Sequence, residues 1–132
     1  MKGYVINIEE ATKKNKNFRK VLYTAKYSQL VLMNLKPGEE IGEEVHTDVD
    51  QFFRVDSGEG KCVIDENEYE IRDGFAVVVP AGAKHNVINT RKSELKLYTI
   101  YSPPEHKDGV IHKTKADALA DTKDHFDDTT TE

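Results

Sequence analysis

Four side chains near the middle of the chain have the types and spacing of a cation site. Glu44 and His46 stand two residues apart, Gln51 follows five residues later, and His85 lies just past Pro80-Ala81-Gly82. Residues i and i+2 of a β-strand point to one face, so Glu44 and His46 can converge on a point. Gln51 and His85 join them only if their strands lie alongside. Two imidazoles, one carboxylate and one amide carbonyl suit one divalent transition metal: iron, manganese, zinc, nickel or cobalt. Two imidazoles with a carboxylate are the facial triad of non-haem Fe(II), and the amide oxygen is a weaker, neutral donor. The only thiol, Cys62, stands elsewhere, so a soft-ligand site is excluded. Ligand bonds of about 2.0–2.2 Å are expected, with one or two positions open to water or substrate. The competing arrangement is a polar cluster that satisfies itself by hydrogen bonds and holds no ion.

Strands must position these groups. Short alternating or apolar runs separated by turn residues indicate a sandwich or barrel. Strands are expected over Tyr4–Ile8, Val21–Tyr27, Gln29–Leu35, Ile41–His46, Gln51–Val55, Lys61–Ile64, Glu68–Ile71, Phe75–Val79, Asn86–Ile88 and Leu95–Tyr101. Glu9–Asn17 reads as a short helix or a loop. Alternation from Gln51 turns Phe53 and Val55 inward, and alternation from His85 does the same for Val87 and Asn89. Leu95, Leu97 and Thr99 share one face and Lys96, Tyr98 and Ile100 the other, with the inward face left open by pattern. Phe53, Val87 and Tyr98 are the expected pocket residues. Gly58, Gly60, Gly74 and Gly82 read as turn punctuation.

The composition bounds the rest. A chain of 132 residues fits one domain. The formal net charge of −5 argues against nucleic-acid binding as the main role. The longest apolar runs fall far short of a membrane span, the N-terminus has no signal-type apolar segment, and a lone cysteine fits a reducing cytoplasm. Beyond Pro103-Pro104, His106 and His112 are candidate acid–base groups on a segment that could fold over the barrel mouth; exposed tail histidines are the alternative. Residues 1–27 are expected to hold N-terminal strands, 28–104 the barrel and 105–120 an extension. Residues 121–132, acidic and poor in apolar side chains, are expected to be a disordered tail.

The spacing resembles that of the cupin superfamily. Gly38, Glu44-Val45-His46, Gln51 and Gly58 follow the register of the first cupin motif, with Glu44 where a His is usual and Gln51 where a Glu is usual. Gly74, Pro80-Ala81-Gly82, His85 and Asn89 match the second motif at every spacing. The resemblance implies an all-β jelly-roll barrel, the cupin double-stranded β-helix, as a single domain. It implies a metal held by Glu44, His46, Gln51 and His85, and a homodimer paired through an N-terminal strand, for which Tyr4-Val5-Ile6 is available. The carboxylate has in effect moved from the second ligand position to the first, which keeps the ligand charge at minus one. Gln at position 51 is also similar to cupins that open unsaturated uronate rings.

A small-molecule substrate follows from such a site. The expected function is that of a metal-dependent enzyme acting on a sugar or other small oxygen-rich compound by isomerisation or ring opening. In this it resembles mannose-6-phosphate isomerase-like cupins. No phosphate cluster is evident, because Arg54, Arg72 and Arg91 are scattered. An Fe(II) dioxygenase and a non-catalytic metal- or sugar-binding module are the alternatives.

Overall fold

A computed structural model describes all 132 residues. The order of elements is α1 (Ile8–Lys14), β1 (Arg19–Thr24), β2 (Gln29–Leu35), β3 (Glu44–Val45), β4 (Asp50–Ser57), β5 (Glu59–Ile64), β6 (Asn67–Arg72), β7 (Ala76–Val79), β8 (Lys84–Ile88), β9 (Leu95–Ser102), β10 (Ile111–His112) and α2 (Lys115–Ala120). The strands form two antiparallel sheets. One has the order β10-β1-β2-β9-β4-β7 and the other β3-β8-β5-β6. This is the expected all-β, single-domain architecture, two antiparallel sheets rolled face to face.

Alternation builds the core. Buried Phe53 and Val55 on β4 and Leu95, Leu97 and Tyr101 on β9 face buried Cys62, Ile71 and Val87 of the smaller sheet. Along β9 every second residue from Leu95 to Tyr101 is buried, while Lys96, Tyr98 and Ile100 are half-buried on the outer face. Tyr98 therefore does not line the interior. Its ring lies 6.2 Å from that of Phe52, which also faces outward. Gly60 is a strand residue where backbones approach rather than a turn, since a Cβ there would meet the Ile88 carbonyl oxygen at 2.4 Å.

The N-terminal segment is not a strand. Asn7 caps α1 by accepting a hydrogen bond from the Glu10 amide, and Glu9–Lys13 and Glu10–Lys14 pair one turn apart. Acids in the first turn and lysines in the last also match the helix dipole. These local signals prevail over the short alternation of Tyr4–Ile8. The edge beside β1 is taken instead by β10, with Arg19 opposite His112, and Tyr4-Val5-Ile6 pair with no strand of the same chain.

The expected Ile41–His46 strand shrinks to two residues. Gly42 has φ +112, a conformation suited to glycine, and its amide donates to the Asn86 side-chain oxygen at 2.9 Å instead of to a ladder partner. Residues 121–132 differ from the expected free tail in having specific partners. Asp121 meets His112, Asp124 meets His106 and the Lys107 amide, and the Phe126 amide donates to the Glu105 carbonyl. Thr131 exchanges hydrogen bonds with the Thr24 backbone, and the Glu132 carboxylate accepts from the Lys2 and Gly3 amides and the Tyr23 hydroxyl.

Candidate metal site

Sheet register brings the four candidate ligands together. Glu44 on β3 lies directly opposite His85 on β8, so both side chains project from one face of the smaller sheet. His46 follows one residue past the end of β3. Gln51 comes from the facing sheet, on the inward side of β4 and opposite Tyr101 of β9. The site thus spans the two sheets at one end of the barrel. His85 and Gln51 are buried, while Glu44 keeps about a third of its side chain exposed.

The distances are those of a shared centre. Donor atoms of Glu44, His46 and His85 all lie within 4.8 Å of one another. His46 Nε2 is 2.8 Å from Glu44 Oε2, and His85 Nε2 is 3.0 Å from Gln51 Oε1. Ligands about 2.1 Å from an ion are separated by about 3 Å when adjacent and about 4.2 Å when opposite. The 2.8 and 3.0 Å contacts match such edges, and the whole cluster, within 4.8 Å, is compact enough for a divalent ion to draw its donors together.

The surroundings aim each donor. His85 Nδ1 lies 3.1 Å from the Ala83 carbonyl, which can only accept, so Nδ1 carries the hydrogen and Nε2 presents a lone pair. Gln51 Nε2 donates to Thr99 Oγ1 at 3.0 Å, which turns Oε1 toward the same place. Two lone pairs then face each other across 3.0 Å, an arrangement that a cation relieves. His46 Nδ1 is 3.5 Å from Glu105 Oε1, leaving its Nε2 directed at the centre. A ligating imidazole is oriented in this way, by an acceptor on its other nitrogen.

Glu44 and His46 are coupled to each other. Burial opposes ionisation of Glu44, but the hydrogen bond and charge of His46, helped by Arg19 and His85, outweigh it and hold the carboxyl below its ordinary range. The Glu44 hydrogen bond raises His46 above its ordinary value against the pull of burial, with Glu105 adding to the rise.

Behind the ligands lies a second set of polar groups. His106 Nδ1 is 2.7 Å from Asp124 Oδ2 and Nε2 is 3.1 Å from the Tyr101 hydroxyl. Burial lowers the His106 pKa despite Asp124. The neutral ring therefore donates through Nδ1 and accepts the Tyr101 hydroxyl hydrogen at Nε2. Burial likewise pushes the Tyr101 phenol upward, keeping it protonated. Gln29 fixes this segment, its Oε1 accepting from the Glu105 and His106 amides and its Nε2 donating to the His106 carbonyl and Thr24 hydroxyl.

The other expected residues are placed as follows. Phe53 and Val87 are buried inside, with the Phe53 ring 6.4 Å from that of His85. Neither His106 nor His112 is an exposed tail residue, and no hydrogen bond of either reaches a candidate ligand. His112 lies between Arg19 and Asp121 on the β10 edge. Sequence reasoning passed over Thr99, Glu105 and Arg19. Thr99 shares the parity of buried Leu95 and Leu97, a usable signal. Arg19 shares the parity of buried Val21 two residues on, a single-step signal, and Glu105 belongs to no spacing pattern.

The cupin domain profile matches residues 31–101. The chain is 48% identical over 125 residues to the uncharacterized protein YrkC of Bacillus subtilis (strain 168), covering 90% of this chain and 67% of that protein. It is 43% identical over 112 residues to the uncharacterized protein L612 of Acanthamoeba polyphaga mimivirus, covering 82% and 70% respectively. The crystal structure of BH2720 from Bacillus halodurans superposes with a TM-score of 0.89 at 43% identity, over 91% of this chain and 96% of that one.

Proposed function

The chain belongs to the cupin family, and from that premise we propose that it is a divalent-metal enzyme acting on a sugar or sugar-like acid by isomerisation or ring opening. One observation carries the metal reading. Both imidazoles have Nδ1 directed at an acceptor, while each Nε2 meets an oxygen of Glu44 or Gln51 across about one ligand edge. When bound, the ion supplies Lewis acidity to a hydroxyl–carbonyl pair. Glu105, about a third exposed beside His46, is the carboxylate placed to take up or return a proton on the open side. Tyr101 and His106 hold each other in the neutral state behind it and exclude water.

Elemental analysis of protein purified without added metal tests the reading. About one equivalent of a transition metal is expected in the wild type, and His46→Ala and His85→Ala are each expected to lower affinity by more than about a hundredfold. Equal metal in all three proteins would show the site to be misassigned. Turnover of reducing sugars or sugar acids, followed by proton NMR, is the expected activity. Oxygen uptake after anaerobic iron loading would move the assignment to a dioxygenase, and retained metal with neither activity to a binding module.

Two further properties belong to the same reading. The outer face of the six-stranded sheet carries half-buried Leu30, Phe52, Tyr98 and Ile100, with Val78 exposed. An antiparallel sheet apolar on both faces is normally covered on both, which supports a homodimer with a second copy on this face. Sedimentation equilibrium is expected to show a dimer that Val78→Lys with Ile100→Lys converts to monomer. No helix is long and apolar enough to cross a membrane. The lone Cys62 is buried, its thiol pushed up to about 11 by burial, which suits the proposed cytoplasmic location.

A further inference from the structure

Arg19 is a buried cation without a carboxylate partner. It opens β1 on the inward face, alternating with buried Val21, and is only 7% exposed. Its Nη1 lies 3.3 Å from His112 Nδ1. Arginine only donates, so Nδ1 accepts and the His112 Nε2 hydrogen goes to Asp121, 2.9 Å away. Nε is buried with no acceptor, Nη2 makes no hydrogen bond to the protein, and the only other contact of the charge is the Phe18 ring, 5.4 Å from Cζ. The carboxylates nearby are all committed to imidazoles: Glu44 and Glu105 to His46, Asp124 to His106 and Asp121 to His112.

A buried guanidinium is normally paired, because an unsatisfied charge is costly in a low dielectric. Nε and Nη2 form the side-on fork that matches the two oxygens of a carboxylate. In Arg19 that fork is the part without a protein acceptor, its Nε enclosed. Arg19 lies opposite buried Met33, which lies opposite buried Leu97, so it shares the inward face of the larger sheet; its charge is also felt at Tyr101, His106 and Asp124 within the same interior.

We propose that Arg19 anchors the carboxylate of an anionic ligand, a small hydroxy acid or sugar acid, through its Nε–Nη2 fork. The placement of the ligand's hydroxyls toward Glu44, His46, Gln51 and His85 rests on the metal-enzyme reading above; the carboxylate contact does not. The anchor selects acids over neutral sugars, because an uncharged group leaves the fork unpaired.

Glycolate and its uncharged amide, glycolamide, test the anchor. The zinc-loaded protein is titrated with each while the Arg19 Nε–Hε resonance is followed by 15N correlation NMR and zinc content is measured separately. Glycolate is expected to bind and to move Hε downfield, with glycolamide at least about tenfold weaker. Arg19→Met is expected to weaken glycolate by about tenfold or more at unchanged zinc content. Equal glycolate affinity in Arg19→Met, an unmoved Hε at glycolate saturation, or no glycolate binding to the wild type would overturn the proposal. If Arg19→Met fails to fold, the wild-type Hε shift decides. A wild type that takes up no zinc sinks the metal reading alone, and the same titration of the zinc-free protein then decides the anchor.

Discussion

At the scale of single residues, the proposed metal reading gives Gln51 control of the affinity. Its amide would contribute an oxygen but no charge, so Glu44 alone would offset an ion there. Gln51→Glu is expected to tighten metal binding, and Gln51→Ala to be milder than loss of either imidazole. Thr99→Val removes the acceptor that turns the Gln51 amide and is expected to weaken binding by up to about tenfold without altering the fold. Competition with a chelator, read beside circular dichroism, checks all three. The convergence of Glu44, His46, Gln51 and His85 was legible because period-two parity and the distance to the Pro80-Ala81-Gly82 turn constrain them directly. Tyr98 was misplaced because alternation separates two faces without saying which is inner, and a polar aromatic is plausible on either. Arg19 was invisible for the opposite reason. A basic residue at a strand start beside Lys16 and Lys20 reads as solvent face, and its shared parity with buried Val21 is too short a pattern to override that reading.

At the scale of elements, local chemistry and long-range partners decide different things. The cap at Asn7 and the acid-to-lysine gradient through Lys14 were present in the sequence, and they outweigh a five-residue alternation. Most strands were legible to within a few residues because turns and apolar runs bound them. The segment carrying Glu105 and His106 was not, since its anchor Gln29 lies far back in the chain and its other partner, Asp124, lies in a stretch whose composition reads as unfolded. That anchoring has a pH signature. His106 is held below its ordinary 6.5 by burial, with Asp124 opposing. Between its folded and unfolded values the unfolded chain binds the extra proton, so its contribution is complete above about pH 6.5 and is lost as pH falls through the folded value. His46, raised by Glu44, runs the other way, contributing below 6.5 and fading as pH rises. The quantity to read is therefore the difference between wild type and His106→Gln. Thermal melts from about pH 7.5 to about pH 5.5 are expected to fall more for the wild type than for the variant. An equal fall would mean that His106 is not buried as a neutral ring.

At the scale of the whole molecule, the two sheets and the C-terminal segment close around one interior. Residues 121–132 contribute little apolar surface, so hydrogen bonds and charge hold them: the Asp124 contact with His106, and Glu132 with the chain start and Tyr23. Leaving a buried donor without its acceptor costs about 1–3 kcal/mol, and Asp124→Asn is expected to lose roughly that much in urea denaturation. The jelly roll itself was readable from the two spaced motifs and the rhythm of the strands. The closure was not, because composition describes what a segment could bury and not what it could bond.

Cys62 sits in the middle of β5, fully enclosed and with its thiolate disfavoured. A thiol-specific dye can thus react only when the smaller sheet parts from its neighbour. Labelling kinetics under native conditions would time that breathing motion with no engineered reporter, and added metal should slow the reaction by clamping the two halves together.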